Sequence, residues 1–229
     1  MAEPVSRAST PSLTMAYSSL LLACAGVVLS IVALVGVWWH GQINPTVFGG
    51  VFKGEGSLSL WGFSSSADLL GFTLPSSFMR LDGGACGNSS PLREQETCGK
   101  LHAIRGLVIS SAVFMGFALI SAICALFTVG KCCHGKYRVR SQLATALMAL
   151  LSVACMISAL AVGSSSDISH VMLDFGAVGA AFYCAVAQIL VGFVVVNISC
   201  IGGCAMLKGN LTEDARGMSQ MHNSEGSGV

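Results

Sequence analysis

Charged side chains are scarce in this chain. Only 10% of its 229 residues are Asp, Glu, Lys or Arg, whereas 53% are hydrophobic. A soluble domain carries about 25% charged residues, and a chain this apolar has too few polar side chains to cover a surface in water. The formal net charge of +1 also lacks the basic field of a nucleic-acid-binding protein. The scarcity of charge therefore excludes a soluble globular fold, and we expect no nucleic-acid partner.

Four stretches contain no charged residue at all. Each is longer than the roughly 20 residues with which a helix crosses about 30 Å of hydrocarbon. Because a backbone in lipid must satisfy its own hydrogen bonds, such stretches become helices, and the bilayer is the first expected partner. The predicted helices lie at residues 15–39, 104–130, 142–163 and 175–206. A cleaved signal peptide is the alternative for the first of them, but its apolar run is longer than that of a signal peptide.

Lys and Arg in short loops indicate the orientation of a membrane protein, since such loops stay in the cytoplasm. The predicted loop 131–141 contains four basic residues and no acid, whereas the loop 164–174 contains acidic residues and no base. We therefore place the loop 131–141 in the cytoplasm, the loops 40–103 and 164–174 outside, and both termini in the cytoplasm, at the plasma membrane. The polar segments 1–14 and 208–229 are predicted to be disordered arms flanking a transmembrane domain over residues 15–207.

Two cysteines and one glycosylation sequon lie in the predicted outer loop. Cys86 and Cys98 are the only cysteines of that loop, and an oxidising compartment favours a disulfide between them; two free thiols are the alternative. The sequon at Asn88 is the one of three that a lumenal enzyme could reach. An unmodified turn residue is the alternative for Asn88.

Four further cysteines flank the predicted inner ends of the second and fourth helices. They are Cys132, Cys133, Cys200 and Cys204. Juxtamembrane cysteines are candidates for palmitoylation. Unmodified thiols and a zinc site remain as alternatives, although the spacings match no standard zinc pattern.

The predicted helices contain small residues but no ionisable side chain in their cores. Gly26 with Ser30 in the first helix is typical of close helix packing. Gln188 and Asn197 in the fourth helix are interpreted as interhelical hydrogen-bonding groups, since a functional intramembrane site is usually ionisable. Arg105 lies at the outer mouth of the second helix, where its guanidinium can snorkel to water.

No catalytic, cofactor or metal motif is present, so an enzyme is not expected. The sequence contains no Gly-x-Ser-x-Gly, His-Glu-x-x-His or phosphate-loop pattern. His40, His102 and His170 lie near the predicted outer face and are far apart in sequence. We interpret them as interfacial residues, with a metal or pH sensor as the alternative.

The outer loop has the composition of a folded segment. It follows Trp38-Trp39, which are typical of a membrane interface. Partial alternation over Ser57–Phe63 predicts a short strand, and Leu69–Met79 is compatible with another strand or a surface helix.

Several motifs of this region resemble the claudin/PMP22-type tetraspan superfamily. The shared features are four helices, a long first outer loop with Leu60-Trp61, a cysteine pair and Arg105 before the second helix. The run Ser59-Leu60-Trp61-Gly62 is similar to the core of the amastins, the protozoan branch of that superfamily. The cysteine pair departs from both patterns, because Cys86 lies well after Trp61 and no cysteine flanks it.

The resemblance implies an all-α transmembrane four-helix bundle with a small antiparallel extracellular β-sheet. Trp61 would tuck under that sheet; a simple interfacial anchor is the alternative. The implied function is a structural, adhesion or membrane-contact role of a cell-surface protein through its first outer loop. The alternative is a claudin-like pore former or an auxiliary modulator of ion or solute transport, in which charged loop residues such as Asp68 tune selectivity. The expected partners are further copies of the chain or other membrane proteins.

Overall fold

Four long helices dominate the structure, a computed structural model that describes residues 10–43, 54–69, 72–73, 77–80, 95–127, 135–164 and 173–225. The helices are α1 (Thr10–Val35), α2 (Gln95–Phe127), α3 (Gly135–Ser164) and α4 (Ala180–Glu225). Each contains a segment long and apolar enough to cross a membrane. The prediction of four spans is confirmed, as expected for a multi-pass membrane protein.

The helices pack as a bundle in which α1 and α3 each lie between α2 and α4. Small residues allow two of the closest approaches. Gly26 of α1 faces the side chain of Met115 in α2, and Gly192 of α4 faces Val153 of α3 so closely that a Cβ atom would clash with it. The packing role predicted for Gly26 is thus confirmed, whereas Gly192 did not stand out in the sequence.

A small antiparallel sheet lies across one end of the bundle, here called the sheet end. Its strands are β1 (Val37–Ile43), β2 (Gly54–Ser59), β3 (Gly62–Leu69), β4 (Phe72–Thr73), β5 (Ser77–Arg80) and β6 (Leu173–Val178). The strand order is β4-β3-β2-β1-β6, with β5 also paired to β3. Five strands come from the segment between α1 and α2 and one from the segment between α3 and α4. The predicted combination of a helical bundle with a small antiparallel sheet is therefore confirmed.

The predicted helix limits at the sheet end are wrong, because strands replace helical turns there. The first helix was expected to include Trp38 and Trp39, but α1 ends at Val35 and both tryptophans belong to β1, which pairs with β2 and β6. The fourth helix was expected from residue 175, but 173–178 form β6. Apolar β-branched and aromatic residues suit either a spanning helix or a buried strand, and pairing on both sides of β1 favours the strand.

All four helices also extend beyond one of their predicted limits. α1 begins at Thr10, within the arm 1–14 expected to be disordered, and α2 begins at Gln95 rather than 104. α3 begins at Gly135, inside the predicted loop 131–141. α4 continues to Glu225, so residues 208–225 of the tail are helical and not disordered. The polar residues at the helix ends were left out of the predicted helices because hydropathy identifies only the part of a helix that lies in hydrocarbon. The helix itself extends into the polar flanks wherever its backbone hydrogen bonds continue.

The strand predicted at Ser57–Phe63 is divided in two. β2 ends at Ser59 and β3 begins at Gly62, with Leu58 paired to Phe63. The segment Leu69–Met79, left between strand and helix, contains the end of β3, all of β4 and part of β5. The Ser59-Leu60-Trp61-Gly62 motif is consequently a hairpin turn rather than the middle of a strand.

The largest buried cluster lies where the sheet meets the bundle. It contains residues of β1, β2, the hairpin turn and all four helices. Its fully buried large side chains are Trp38, Leu58, Leu60, Ile104, Val108 and Met156. A second cluster around Met115 and Val195 lies deeper in the bundle. The sheet and the helices therefore share one core, which fixes the position of the hairpin turn.

Candidate functional site

The Ser59-Leu60-Trp61-Gly62 turn is shaped by the hydroxyl of Ser59. Its Oγ accepts hydrogen bonds from the backbone N–H groups of Trp61 at 3.3 Å and Gly62 at 3.0 Å. The same Oγ lies 2.9 Å from the Gly62 carbonyl, to which it donates. A serine that bonds the backbone two and three residues onward stabilises a turn. The motif is thus a locally closed hairpin connection that holds Leu60 and Trp61 toward the bundle.

Trp61 joins this turn to α1. Its indole Nε1 donates to the carbonyl oxygen of Leu34 at 2.8 Å, in the last turn of α1. A carbonyl in the last turn of a helix has no partner within that helix, so the indole supplies one. The ring is partly buried and packs on the shared core. Trp61 therefore does more than anchor the chain at a membrane interface, because it attaches the hairpin turn to α1.

Arg105 joins the same turn to α2. Its Nε donates to the carbonyl oxygen of Leu60 at 2.5 Å, and its Cζ lies 5.3 Å from the centroid of the Trp61 ring. A guanidinium over an indole face gains a cation–π interaction. The side chain is only 6% exposed, so the prediction that it snorkels to water is wrong. The turn offers Arg105 a carbonyl and a ring, and these hold the guanidinium inside the protein.

Trp38 and Trp39 lie inside the shared core and not on the outer surface of the bundle. Trp38 is fully buried, and its Nε1 donates to the Ala33 carbonyl at 2.6 Å. Its ring centroid lies 5.7 Å from that of Trp39 and 6.1 Å from that of Phe182 in α4, with the Phe182 ring edge-on. Trp38 thus connects α1, β1 and α4.

Two glycines allow the chain segments at this junction to approach each other. A Cβ atom on Gly179 would overlap the backbone of Val37 and Trp38, and the Gly179 N–H donates to the Trp38 carbonyl at 2.7 Å. A Cβ atom on Gly36 would lie 2.7 Å from the Val32 carbonyl oxygen and 3.0 Å from the Cβ of Ala181. Sequence analysis did not single out Gly36.

Together these contacts define what we call the sheet–bundle junction: Trp38, Trp61, Arg105, Gly36 and Gly179. Trp61 and Leu60 attach the β2–β3 hairpin to α1 and α2, while Trp38 and Gly179 attach β1 to α4. Burial of the aromatic rings stabilises these contacts. The hydrogen bonds add to that stability, because in an apolar environment no water competes for their donors and acceptors. The arrangement holds a sheet in a fixed position on the bundle, and it offers no nucleophile or acid–base pair.

A buried polar network deeper in the bundle links α2, α3 and α4. The Gln188 amide Nε2 donates to Ser152 Oγ at 2.9 Å, and Ser152 Oγ in turn donates to the Ser111 carbonyl at 2.8 Å. Ser111 Oγ donates back to the Ser152 carbonyl at 2.9 Å. The interhelical role predicted for Gln188 is confirmed. Asn197 makes no such bond within the described part of the chain, because its side chain is exposed and its amide donates to the Phe193 carbonyl of its own helix.

Replacing Ser152 by alanine is expected to destabilise the protein by about 1–2 kcal/mol, because the buried Gln188 amide loses its acceptor. Unfolding by SDS, followed by intrinsic tryptophan fluorescence, measures the change. Ser158→Ala is the matched control, since the Ser158 hydroxyl is exposed and bonds only Ala154 of its own helix. Equal unfolding midpoints for the two variants would show that the network does not contribute to stability as proposed.

The predicted modification sites are only partly within the described residues. Cys200 and Cys204 are exposed free thiols, compatible with acylation, while Cys132 and Cys133 lie outside the described residues. Cys98 is disulfide-bonded, but Cys86 and Asn88 also lie outside the described residues. The Cys86–Cys98 pairing, the glycan and the acylation therefore stay predictions.

Histidine and cysteine positions do not converge on a metal site within the described part of the chain. His40 and His102 are both exposed, one on β1 and one on α2, and His170 lies outside the described residues. No group of three His, Cys, Asp or Glu side chains that could hold a metal is found among the described residues.

No protein-family model matches the chain, and no curated protein sequence matches it. The likeness to claudin/PMP22-type tetraspan proteins and to amastins therefore rests on the motif residues. Of these, Ser59, Trp61 and Arg105 come together at the sheet–bundle junction.

Proposed function

We propose that the chain is a cell-surface membrane protein with a structural or adhesion role, in which the bundle presents the sheet for contact with another membrane or with neighbouring proteins. The observation that carries this proposal is the sheet–bundle junction. Trp61 and Arg105 hydrogen-bond the hairpin turn to two helices, and Trp38 packs β1 against a third helix. A fixed sheet needs less ordering when it binds a partner, and so binds more tightly for the same contacts.

The buried polar side chains of the bundle support the proposal, because they have structural roles. Arg105 is the one buried charged side chain among the described residues, and it serves the junction. The buried Gln188 amide serves helix packing. Transport sites and proton relays are usually built from intramembrane ionisable groups. Arg105 and Gln188 thus hold the fold together, and the sheet is left as the part that can meet a partner.

The contact surface we assign is the exposed polar patch on β1 and β2, formed by His40, Gln42 and Glu55. Gln42 and Glu55 are directly paired across the two strands, and all three side chains are exposed. Polar side chains at the rim of an interface give specificity and control the rate of association. We further propose that this patch faces the outside of the cell, in agreement with the basic loop 131–141 in the cytoplasm.

Vesicle docking tests the proposed function. The full-length protein is reconstituted into two sets of liposomes with different fluorophores, and protease protection identifies the vesicles with the sheet outside. We expect docking only when both sets carry the protein. A Gln42→Arg, Glu55→Arg double variant should lose docking, because it removes both polar acceptors of the patch and places two positive charges on each copy, which repel those of the opposing membrane. Ser158→Leu, a substitution on the exposed side of α3 away from the patch, should dock as the wild type does.

Three results would overturn the proposal. Equal docking by the double variant would show that the patch is not the contact surface. Docking with protein-free liposomes would indicate lipid binding rather than contact between copies. Absence of docking together with an ion conductance in planar bilayers, altered by Asp68→Lys in β3, would favour the pore or transport modulator instead.

A further inference from the structure

One side of α4 exposes a carboxamide near the middle of its apolar span. Asn197 lies well inside the span Ala180–Lys208 and its side chain is exposed. The four spans contain other exposed side chains that carry a carboxamide or a charge. All of those that the structure describes lie close to a span end, where water or lipid headgroups can reach them. Asn197 lacks that access, because the middle of a span lies in hydrocarbon.

The hydrogen bonds of Asn197 are only partly satisfied. Its Nδ2 donates to the Phe193 carbonyl at 2.8 Å, and no described residue donates to its Oδ1. The second N–H and the oxygen therefore point to a partner from outside the chain. A polar group in hydrocarbon is costly unless it is paired, and Asn side chains hydrogen-bond between helices in membranes. The exposed position of Asn197 calls for a partner that both donates and accepts.

The geometry points to a second copy of this chain as the partner. A carboxamide is self-complementary: its N–H can donate to the oxygen of an identical group while its oxygen accepts in return. All copies insert with the same orientation, so two α4 helices meet in parallel around a two-fold axis, and the same side of each forms the interface. We infer that the chain forms a homodimer through α4, with the two Asn197 amides hydrogen-bonded to each other at its centre.

The residues around Asn197 fit such a helix pair. Exposed side chains recur along the same side of the helix at intervals of three and four residues. They are Val186, Leu190, Phe193, Asn197, Ile201 and Cys204. Cys204 follows Asn197 by about two helical turns and so lies on nearly the same line. In the dimer each Cys204 is thus close to its counterpart, in reach of a disulfide if the thiols are oxidised.

Oxidative cross-linking in membranes tests this interface with the native cysteines. Membranes with the full-length protein are treated with hydroxylamine to remove any thioester-linked acyl chains, and then with copper phenanthroline. We expect a disulfide-linked dimer on non-reducing gels. The dimer should disappear in a Cys200→Ser, Cys204→Ser variant. It should persist in a Cys24→Ser, Cys124→Ser variant, the matched control, because these two exposed thiols lie on α1 and α2.

The role of Asn197 is measured separately, by Förster transfer between copies that carry fluorophores on their C-termini. Asn197→Leu should weaken dimerisation about 5- to 30-fold, as expected for the loss of one hydrogen-bonded pair between membrane helices. Asn197→Gln, which keeps the amide, should retain most of the transfer. Ser158→Leu should leave the transfer unchanged. The assay does not require docking, so this inference and the contact function can fail independently.

Several outcomes would overturn the inference. One is a dimer that survives removal of Cys200 and Cys204 but is lost with Cys24 and Cys124, because the interface would then lie on other helices. Another is cross-linking of Cys204 only to a different protein. Equal transfer in the wild type and Asn197→Leu, or transfer no greater than between unrelated membrane proteins, would exclude the amide pair.

Discussion

Replacing Gly179 by valine is expected to prevent the protein from reaching its folded state. The backbone of Val37 and Trp38 occupies the space that a Cβ atom at this position requires, and a backbone cannot move aside as a flexible side chain can. The Gly179 N–H also donates to the Trp38 carbonyl, so any shift that relieves the overlap breaks this bond. Overpacking a rigid site costs about 3 kcal/mol or more, which is a large part of the stability of a typical protein.

The measurement is the yield of monodisperse protein after extraction in mild detergent, together with its unfolding in SDS. Gly179→Ala should be impaired in the same direction. Gly106→Ala is the matched control, because a Cβ atom on Gly106 of α2 meets nothing within 4 Å. It should be neutral or stabilising, by up to about 1 kcal/mol, since alanine favours a helix over glycine. Normal yield and stability of Gly179→Val would show that β1 and α4 are not packed as described.

Replacing Arg105 by methionine is expected to detach the β2–β3 hairpin from α2. The Leu60 carbonyl, which is part of a fully buried residue, loses its donor, and Trp61 loses the guanidinium above its ring. An unsatisfied buried acceptor costs about 1–3 kcal/mol and a partly desolvated cation–π contact about 1–2 kcal/mol. Together we expect a destabilisation of about 2–4 kcal/mol.

Intrinsic fluorescence measures this effect directly, because the chain has 3 tryptophans and all of them lie in or against the shared core. The Arg105→Met variant should show an altered emission maximum and an earlier unfolding transition. Arg105→Lys should recover only a small part, since an ammonium group cannot both donate like Nε and stack on an indole. His102→Ala, an exposed position one turn earlier on α2, should stay within about 0.5 kcal/mol of the wild type. Wild-type unfolding of Arg105→Met would exclude the junction as the support of the hairpin.

The bundle could be predicted from the sequence, because membrane spans depend on composition and length over many residues. The four charge-free stretches located α1 to α4, and Gln188 was recognised as an interhelical group. Helix limits at the sheet end could not be predicted. Val37-Trp38-Trp39 is as apolar as the helix before it, and only its pairing with β2 and β6 distinguishes strand from helix. Such pairings join residues distant in sequence, which no local pattern records.

Sequence analysis identified residues of the candidate site but not their arrangement. The Ser59-Leu60-Trp61-Gly62 motif and Arg105 were singled out, yet the motif was taken as strand and Arg105 as water-facing. Their roles depend on contacts between residues distant in sequence, since Arg105 and the Leu60 carbonyl that it binds are 45 residues apart. Gly179 and Ser152 matter through close neighbours on other elements. These are the backbone of Val37 and Trp38 for Gly179, and Ser111 and Gln188 for Ser152. Nothing in the local sequence around a glycine or serine in an apolar stretch indicates which distant residues it contacts. The importance of these two residues therefore became apparent only in the structure.

Hydrogen–deuterium exchange of the wild-type protein in lipid nanodiscs tests most directly whether the sheet is held on the bundle as a fixed body. Protection is governed by the free energy of local opening, so a held strand exchanges as slowly as the helix ends around it. We predict that the backbone amides of residues 55–58, which are paired on both sides by β1 and β3, are protected for minutes to hours, and that Arg105→Met removes this protection. Exchange of the same amides within seconds in the wild type would show a mobile loop and would contradict the account.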